Sequence, residues 1–387
     1  MSVRAIGGGA IIAALSLAAC SGGGDDAVPE ATAPTTTEPA PADDFEPADQ
    51  VSEPVESRAV VPLAEVCPDR IVVQVSGLPT PRLGPLYTLL ASGAEIADDG
   101  RSVSGPLRRP GQAAEDVTLE IRTGGPSIGF VPAIDVGASD RSVHLVTTSI
   151  ADLAPRIDSE ASAVVALSEL NDRMVMWSAT AHPRVTDLDA LGTSGIEIRH
   201  VTAEPFVEFL VANGVLEPGQ LVSGGSDAIA EFVTEAGAIA RQGDSVTDPP
   251  LFAEIAEWDD PLTVGEASSR GWLDVEPVLA TIDDGRLDPD CLDQLVPTIQ
   301  AAIPAYDAEP AAVNELMAAV GLRVDPFSLI TASVLDAASD SLTLAESPGA
   351  FDLDRIDAFL PSLSSALGTE VRPVDDVVET AHLDPAG

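Results

Sequence analysis

Apolar and polar residues alternate at the start of the stretch from Val117 to Asp135. Val117, Leu119 and Ile121 fall at every second position, which is the period of a β-strand with one buried face. The next segment, Gly124–Ser127, reads Gly-Gly-Pro-Ser and must end the strand, with a helical turn beginning at its serine. In open α/β sheets, a strand followed by a glycine turn and the first turn of a helix often lines the ligand site at the carboxyl ends of the strands. The stretch therefore predicts one side of a ligand cleft; the alternative is a tight turn that only reverses the chain.

Apolar runs and capped helical segments alternate along the chain as far as residue 282. A short apolar run is typical of a strand buried on both faces. Such runs predict strands at Ile71–Val75, Val143–Thr147, Ala163–Leu167, Gly195–Val201, Ala238–Arg241, Pro261–Gly265 and Val275–Ile282. Cap residues followed by apolar positions at helical spacing predict helices. These helices are expected at Gly84–Ala91, at Thr186–Gly192, from Thr202 through Pro205 to Gly214, and from Ser226 to Ala236.

The end of the chain is predicted to be helical. Apolar stripes run through Leu292–Ile299, Val313–Val320 and Leu353–Leu367. Pro297 predicts a kink in the first of these helices, and Gly321 predicts the end of the second.

Two successive α/β units followed by helices predict an α/β fold with two lobes. We assign residues 67–161 and 273–387, which include the C-terminal helices, to the first lobe, and residues 162–272 to the second. Two strands, near Val164 and Val275, are expected to cross between the lobes. A cleft between lobes that are joined in this way suits hinge closure around a ligand.

The first 20 residues predict export. Arg4 is the only charged residue before Asp25, and the apolar run Ala10–Ala19 is too short for a transmembrane helix. It ends in Leu-Ala-Ala-Cys20, which resembles a bacterial lipoprotein lipobox and implies a signal peptide over residues 1–20 with Cys20 lipidated. The alternative is an ordinary signal peptide with an unrelated cysteine.

Residues 21–66 are predicted to form a disordered acidic tether. The segment is rich in Pro, Ala, Thr, Glu and Asp, and it cannot bury enough apolar surface to offset its ordering entropy. Prolines and acidic residues keep such a segment extended. The folded part of the chain is therefore expected at the cell membrane, held by lipid on the extracytoplasmic face.

The charge of the chain excludes several function classes. The formal net charge is −44, and all 19 basic residues are arginines. Such a polyanion repels nucleic acid and anionic lipid surfaces. Since the chain has no lysine, Schiff-base chemistry and a P-loop are excluded as well.

Residues that would indicate catalysis or a metal site are not grouped along the chain. The histidines His144, His182, His200 and His382 are scattered, with no pair at the spacing of a zinc-binding helix. No Gly-x-Ser-x-Gly elbow is present, and the 63 acidic residues are too numerous to single out a pair. We therefore predict no enzyme, no metal and no cofactor.

Two cysteines remain if Cys20 carries lipid. Cys67 and Cys291 are disulfide candidates, because an exported chain resides in an oxidising compartment. The bridge would tie the start of the folded part to the C-terminal region. The alternative is a pair of buried free thiols.

Several segments together resemble a bacterial protein family. They are the lipobox, the acidic tether, Ile71–Tyr87, Gly124–Ser127, Thr186–Gly192 and Cys291–Pro297. Their order is similar to that of ABC-transporter substrate-binding lipoproteins of the nitrate, sulfonate, taurine and thiamine-precursor type. The resemblance implies a type II periplasmic-binding fold and delivery of a small solute to a membrane permease. Members of the family often carry an aromatic or acidic residue where this chain has Ser76-Gly77-Leu78, which leaves the ligand class open.

Candidate ligand-binding residues lie at predicted strand ends and helix starts. They are Ser76, Leu78, Pro79, Tyr87, Gly124, Gly125, Pro126, Ser127, Ser149, Asn171, Ser226, Ser268 and Ser269. Free amide groups at Ser127 and near Ser226 would favour an anionic or strongly polar group. The alternative for each hydroxyl is that it caps its own helix, which we favour for Ser226.

Aromatic and arginine side chains give a second set of candidates. Trp177 and Trp272 are able to stack on a ligand ring, with core packing as the alternative. Arg82, Arg122, Arg173 and Arg270 are able to pair with a ligand acid, with ordinary ion pairs as the alternative.

The sequence predicts a monomeric, lipid-anchored solute-binding component of an ABC importer. It would capture a small polar or anionic/aromatic solute between its lobes, and its partners would be that solute and the membrane permease. One alternative is a surface lipoprotein that binds a protein partner and no small molecule. Another is a secreted hydrolase with two carboxylates, which would need a close carboxylate pair in a cleft.

Overall fold

The computed structural model describes residues 60–90, 93–168, 173–200, 204–223, 228–255, 258–282, 285–325, 328–342 and 347–384. The predicted lipidation site Cys20 and residues 21–59 of the predicted tether lie outside these residues. So do the candidates Asn171 and Ser226 and the predicted cap Thr202. The tether prediction was wrong for Leu63–Val66, which form a short helix with Leu63 buried in the core.

Strands and helices alternate through most of the described chain. The strands are β1 (Arg70–Gln74), β2 (Glu95–Ile96), β3 (Ser102–Arg108), β4 (Ala114–Arg122), β5 (Leu145–Thr148), β6 (Ala163–Ala166), β7 (Arg173–Ser178), β8 (Ile198–His200), β9 (Leu221–Ser223), β10 (Ala240–Asp244), β11 (Leu262–Glu266) and β12 (Val278–Thr281). The helices are α1 (Leu63–Val66), α2 (Gly84–Thr88), α3 (Ala133–Ser139), α4 (Ile150–Leu153), α5 (Leu188–Gly192), α6 (Pro205–Ala212), α7 (Ala228–Thr234), α8 (Asp248–Glu254), α9 (Pro289–Ala308), α10 (Ala311–Val324), α11 (Ala332–Ser339), α12 (Leu353–Leu367) and α13 (Val374–Val377). Short 3-10 helices occupy Pro81–Leu83, Gly125–Ile128, Pro218–Gln220 and Ala267–Arg270.

The strands form two sheets. The first sheet has the order β2-β3-β4-β1-β5-β12-β6, and the second has the order β11-β7-β10-β8-β9. In the first sheet β1 runs parallel to both β4 and β5, whereas β12 runs antiparallel to β5 and β6. In the second sheet β10 is parallel to β8 and antiparallel to β7. These two sheets with their helices confirm the predicted α/β class.

Strand β1 is buried on both faces, as its apolar run predicts. Ile71 and Val73 belong to one buried cluster, which includes Leu295 of α9. Val72 points to a second cluster, which includes Ile134 of α3. Since successive side chains of a strand point to opposite faces, helices cover both sides of the first sheet.

The predicted disulfide is confirmed. Cys67 and Cys291 are bonded across a sequence separation of 224 residues. Cys67 directly follows α1, and Cys291 lies in the first turn of α9. The bridge therefore ties the start of the folded part to the longest helix described.

The chain passes from one sheet to the other twice. It leaves the first sheet after β6 and enters the second at β7, and it returns from β11 through residues 267–277 to β12. The predicted lobe boundary at 161/162 falls just before β6, which pairs within the first sheet. None of the described helices is both long and apolar enough to cross a membrane.

Some local predictions were wrong. Helix α10 continues through Gly321 to Val324. Helix α5 is capped by Asp187, whose side chain accepts a hydrogen bond from the Ala190 amide, and not by Thr186. The hairpin of β3 and β4 was not anticipated, because β3 contains Gly105 and Pro106 and few apolar residues to mark it as a strand.

Candidate functional site

A cleft of about 640 Å³ is lined by residues from both sheets. On the first sheet it lies at the carboxyl ends of the parallel strands β4, β1 and β5. On the second sheet its lining includes the start of α6 and the end of β10. The segment Trp272–Pro277, which returns to the first sheet, contributes further lining. This is where the carboxyl ends of neighbouring parallel strands meet, which is the usual ligand position in open α/β sheets.

The structure places some of the sequence candidates in this cleft and others elsewhere. Lining residues among them are Ser76, Leu78, Gly125, Pro126 and Ser149. Outside the lining lie Pro79, Tyr87, Gly124, Ser127, Ser268 and Ser269.

The glycine turn after β4 packs closely against the end of β1. The amide of Gly124 donates to the carbonyl of Gly77 at 2.9 Å, and the amide of Gly125 donates to the carbonyl of Ser76 at 3.0 Å. A Cβ atom on Gly124 would lie 2.2 Å from the carbonyl oxygen of Val75. Only a glycine fits this close approach, so Gly124 shapes the cleft wall without lining it.

The expectation of a free amide at Ser127 was wrong. The Ser127 amide donates to the carbonyl of Gly124 at 3.1 Å within the 3-10 turn. Its hydroxyl lies 2.8 Å from the Thr123 hydroxyl. The amides of the turn are therefore bound within the protein, and they offer no ready set of donors to an anion.

Ser76 and Ser149 stand at adjacent strand ends. The Ser76 amide donates to Thr147 Oγ1 at 2.8 Å, which joins the ends of β1 and β5. Ser149 Oγ accepts a hydrogen bond from the Asp152 amide at 3.0 Å. Ser149 therefore caps α4, the alternative considered for every candidate hydroxyl, and also lines the cleft.

Tyr87 and the serines of residues 268–269 lie away from the cleft. Tyr87 is buried in α2 within the core, and burial raises the pKa of its phenol above the usual range. Ser269 is exposed, and its hydroxyl donates to the carbonyl of Glu266. Trp177 is also in the core, whereas Trp272 is buried at the cleft.

The cleft contains six acidic residues that sequence reasoning did not select. They are Asp152, Glu204, Asp244, Asp274, Glu276 and Asp325. Arg82 and Arg173 are the arginines in the same lining. Among 63 acidic residues in the chain, only the fold separates these six from the rest.

Asp244 is fixed at the end of β10 by the turn that follows it. Its Oδ1 atom accepts hydrogen bonds from the amides of Val246 and Thr247, at 3.0 and 2.9 Å. Its Oδ2 atom lies 2.6 Å from Arg82 Nη1. Burial alone would raise the pKa of Asp244, but the charge and hydrogen bond of Arg82 outweigh it and hold the pKa at about 2.

Arg173 is held by two carboxylates at the start of β7. Strand pairing sets it opposite Asp244. Its Nη2 atom lies 2.5 Å from Glu276 Oε1, and its Nη1 atom lies 3.1 Å from Glu204 Oε2. Burial raises the pKa of Glu204 to about 7 in spite of the opposing charge of Arg173.

Asp274 and Asp152 belong to the same acidic lining and lie near Glu276. Asp274 is 3% exposed, and its Oδ1 atom accepts hydrogen bonds from the amides of Ala151 and Val275, both at 2.9 Å. Burial raises the pKa of Asp274 well above its usual range, and the charge of Glu276 adds to this shift. Burial also raises the pKa of Asp152 to about 6.

The two other arginine candidates pair with carboxylates away from the cleft. Arg122 contacts Glu120 and Asp140, and Arg270 contacts Asp189. With Arg82 and Arg173 bound as described above, all four candidates form ion pairs within the protein.

Comparison with known proteins gives structural neighbours only. No protein-family model matches the chain, and no curated protein sequence matches it. The periplasmic aliphatic sulphonate binding protein SsuA from Escherichia coli is similar at a TM-score of 0.52 and 11% identity, over 82% of this chain and 94% of that one. A Candida albicans gene product described as having the generic periplasmic binding protein fold gives a TM-score of 0.51 and 13% identity, over 82% and 98%. The periplasmic nitrate-binding protein NrtA from Synechocystis PCC 6803 gives a TM-score of 0.50 and 11% identity, over 81% and 87%.

These similarities extend over most of this chain and most of each neighbour. Because the sequence identities are low, they give information on the fold and not on the function. The chain has the periplasmic binding protein fold, as the sequence resemblance implied.

Proposed function

We propose that this protein is the solute-binding component of an ABC importer and holds a small molecule in the cleft between its two sheets. The observation that carries the proposal is the cleft itself, about 640 Å³ in volume and lined by polar groups from both sheets. Clefts of this size suit small solutes. Two of the neighbours named above, the aliphatic sulphonate binding protein from E. coli and the nitrate-binding protein from Synechocystis, support the same role.

The proposal includes hinged lobes. The return passage of the chain, through residues 267–277, would act as part of the hinge. One lobe would carry the first sheet with the C-terminal helices, and the other would carry the second sheet. This division follows the predicted lobes except at residues 163–166, which pair with the first sheet.

The proposal also includes a lipid anchor and a monomer. Lipid on Cys20 and a tether over residues 21–59 would hold the folded part near a membrane permease on the extracytoplasmic face. The variant Cys20→Ala is expected to move the protein from the membrane fraction to the soluble fraction. Retention of this variant in the membrane fraction would contradict the anchor.

The experiment that tests solute binding is a thermal-shift screen of the purified protein against small amines, sulfonates, nitrate, pyrimidines, amino acids and aromatic acids. The unfolding temperature of a binding protein rises when its solute binds, and the rise depends on the solute concentration in a saturable way. A lipoprotein that acts only through a protein partner shows no shift with any of them and co-purifies with that partner. The proposal assigns no catalytic activity to the cleft.

A further inference from the structure

Carboxylates outnumber arginines in the lining of the cleft. Six carboxylates and two arginines line it, a formal excess of four negative charges. Arg82 is bound to Asp244, and Arg173 is bound to Glu276 and Glu204. Both guanidinium groups are therefore matched by carboxylates before any solute enters.

Asp274 is the side chain that most clearly lacks a charge partner. It is 3% exposed and lines the cleft. Its Oδ1 atom accepts hydrogen bonds from two backbone amides. Its Oδ2 atom has no hydrogen-bond donor among the described residues, and neither oxygen forms an ion pair with them. An ionised carboxylate that is buried without a cation destabilises a fold.

General acidity of the surface does not account for this arrangement. Acidic residues that keep a protein soluble act from exposed positions, where water hydrates them at little cost. Asp274 is buried, and the charge of Asp152 adds to the unfavourable field around it. Burial therefore favours the neutral form of this carboxyl group in the empty protein, and a positively charged ligand would favour its ionised form.

The glycine turn of the cleft has no free amide groups to offer an anion at Gly124, Gly125 and Ser127. The amides of Gly124, Gly125 and Ser127 donate to backbone carbonyls. A sulfonate or nitrate would enter beside Asp274 and Asp152, and the amides of this turn would not be available to stabilise it.

Aromatic rings border the same acidic wall. Trp272 and Phe206 both line the cleft, with ring centroids 6.3 Å apart, and Trp272 is two residues from Asp274 in the sequence. Trp272 is 2% exposed, and its ring packs against Phe206, Phe209 and Phe359. These rings give the acidic residues an apolar border that excludes water, where opposite charges attract each other more strongly.

We infer that the cleft selects a small organic cation, such as an amine, a guanidinium or a quaternary ammonium compound, whose charged group lies against Asp274 and Asp152 beside Trp272. The inference rests on the proposed solute-binding function and specifies its substrate class. A bare metal ion fits less well, because no three His, Cys, Asp or Glu side chains in the described part of the chain are grouped to hold one.

The test compares charge classes on the purified protein. Choline, agmatine and putrescine serve as cations, 3,3-dimethyl-1-butanol serves as the uncharged isostere of choline, and ethanesulfonate and nitrate serve as anions. At least one cation is expected to raise the unfolding temperature by several degrees in a saturable way. The isostere and the anions are expected to have no such effect.

Variants then locate the binding. Asp274→Asn keeps the Oδ1 acceptor for the two amides and removes the charge, so it is expected to weaken binding of the stabilising cation about ten- to a hundredfold. Asp354→Asn, at an exposed position in the first turn of α12, is the matched control and is expected to bind the cation as the wild type does.

The outcomes separate the two proposals. A shift from an anion or a neutral probe alone overturns the cation assignment and upholds solute binding. Failure of every probe contradicts both. A cation that binds Asp274→Asn as tightly as the wild type shows that the acidic wall is not its site, and this overturns the inference.

Discussion

Arg82 Nη1 lies 2.6 Å from Asp244 Oδ2, and the two residues belong to opposite sides of the cleft. Arg82 precedes α2 beside the first sheet, whereas Asp244 is the last residue of β10 in the second sheet. Both side chains are largely buried. The pair is therefore a direct link across the cleft in the conformation described here.

Loss of this link is expected to favour a more open protein. Asp244→Asn retains the Oδ1 acceptor of the turn but removes the negative charge that faces the buried Arg82 guanidinium. Opening the cleft hydrates that guanidinium, so the equilibrium shifts toward open forms. Small-angle X-ray scattering is expected to show a larger radius of gyration.

Asp189→Asn is the control for this variant, since it breaks an ion pair with Arg270 outside the cleft. An Asp244→Asn protein with the radius of gyration of the wild type would show that the pair does not hold the cleft closed.

Asp152 is expected to make stability depend on pH. Burial raises its pKa from 3.8 to about 6 in the folded protein. Protonation therefore stabilises the fold, and this contribution, complete below pH 3.8, is lost as the pH rises through about 6. Asp152→Asn is expected to unfold at a higher temperature than the wild type at pH 7.5 and to depend less on pH between 4 and 6. Thermal unfolding across this range measures both effects, and an unchanged pH dependence would refute the assignment.

Gly124 and Gly77 form a matched pair for testing the cleft wall. A Cβ atom on Gly124 would meet the Val75 carbonyl, whereas a Cβ atom on Gly77 has no heavy atom within 4 Å. Gly124→Ala is therefore expected to lower the free energy of unfolding by about 1–3 kcal/mol, and Gly77→Ala is expected to change it little. Urea denaturation measures the two values. Equal values for the two variants would mean that the close approach of β1 and β4 does not constrain this turn.

The Cys67–Cys291 disulfide is expected to stabilise the folded part. A bridge over 224 residues restricts the unfolded chain strongly, and removal of a native disulfide typically costs about 2–5 kcal/mol. Cys67→Ser with Cys291→Ser is expected to show this loss in urea denaturation. Reductant should lower the stability of the wild type to that of the double variant and leave the double variant unchanged. A wild type insensitive to reductant under unfolding conditions would contradict the bridge.

Several parts of the fold were predictable because local signals agreed with the tertiary structure. The apolar run at Ile71–Val75 marks a strand that is buried on both faces, and two cysteines in an exported chain predict a disulfide. Strand β3 was missed because Gly105 and Pro106 interrupt its pattern, and only pairing with β4 makes it a strand. Helix α10 continues through Gly321 because packing of Met317 and Val320 in the core supports the helix on that side.

The candidate site was less accessible to sequence reasoning. Ser76 and Ser149 could be found because each directly follows a buried strand. Asp244 and Arg173 could not be connected, because 71 positions separate them in the sequence and strand pairing brings them together. Asp244 was also hard to single out, because β10 reads Ala-Arg-Gln-Gly-Asp and the predicted strand Ala238–Arg241 ends three residues before it.

The central claim is that the cleft holds a small solute, and a blocking variant tests it most directly. Gly77 lines the cleft, has open space at its Cβ position and does not require a positive φ angle, so Gly77→Trp is expected to fill the cleft and to leave the unfolding temperature of the empty protein nearly unchanged. The thermal-shift panel is measured on both proteins side by side. The account predicts that one class of solute stabilises the wild type and fails to stabilise Gly77→Trp. A panel without effect on the wild type, or equal stabilisation of both proteins, would contradict it.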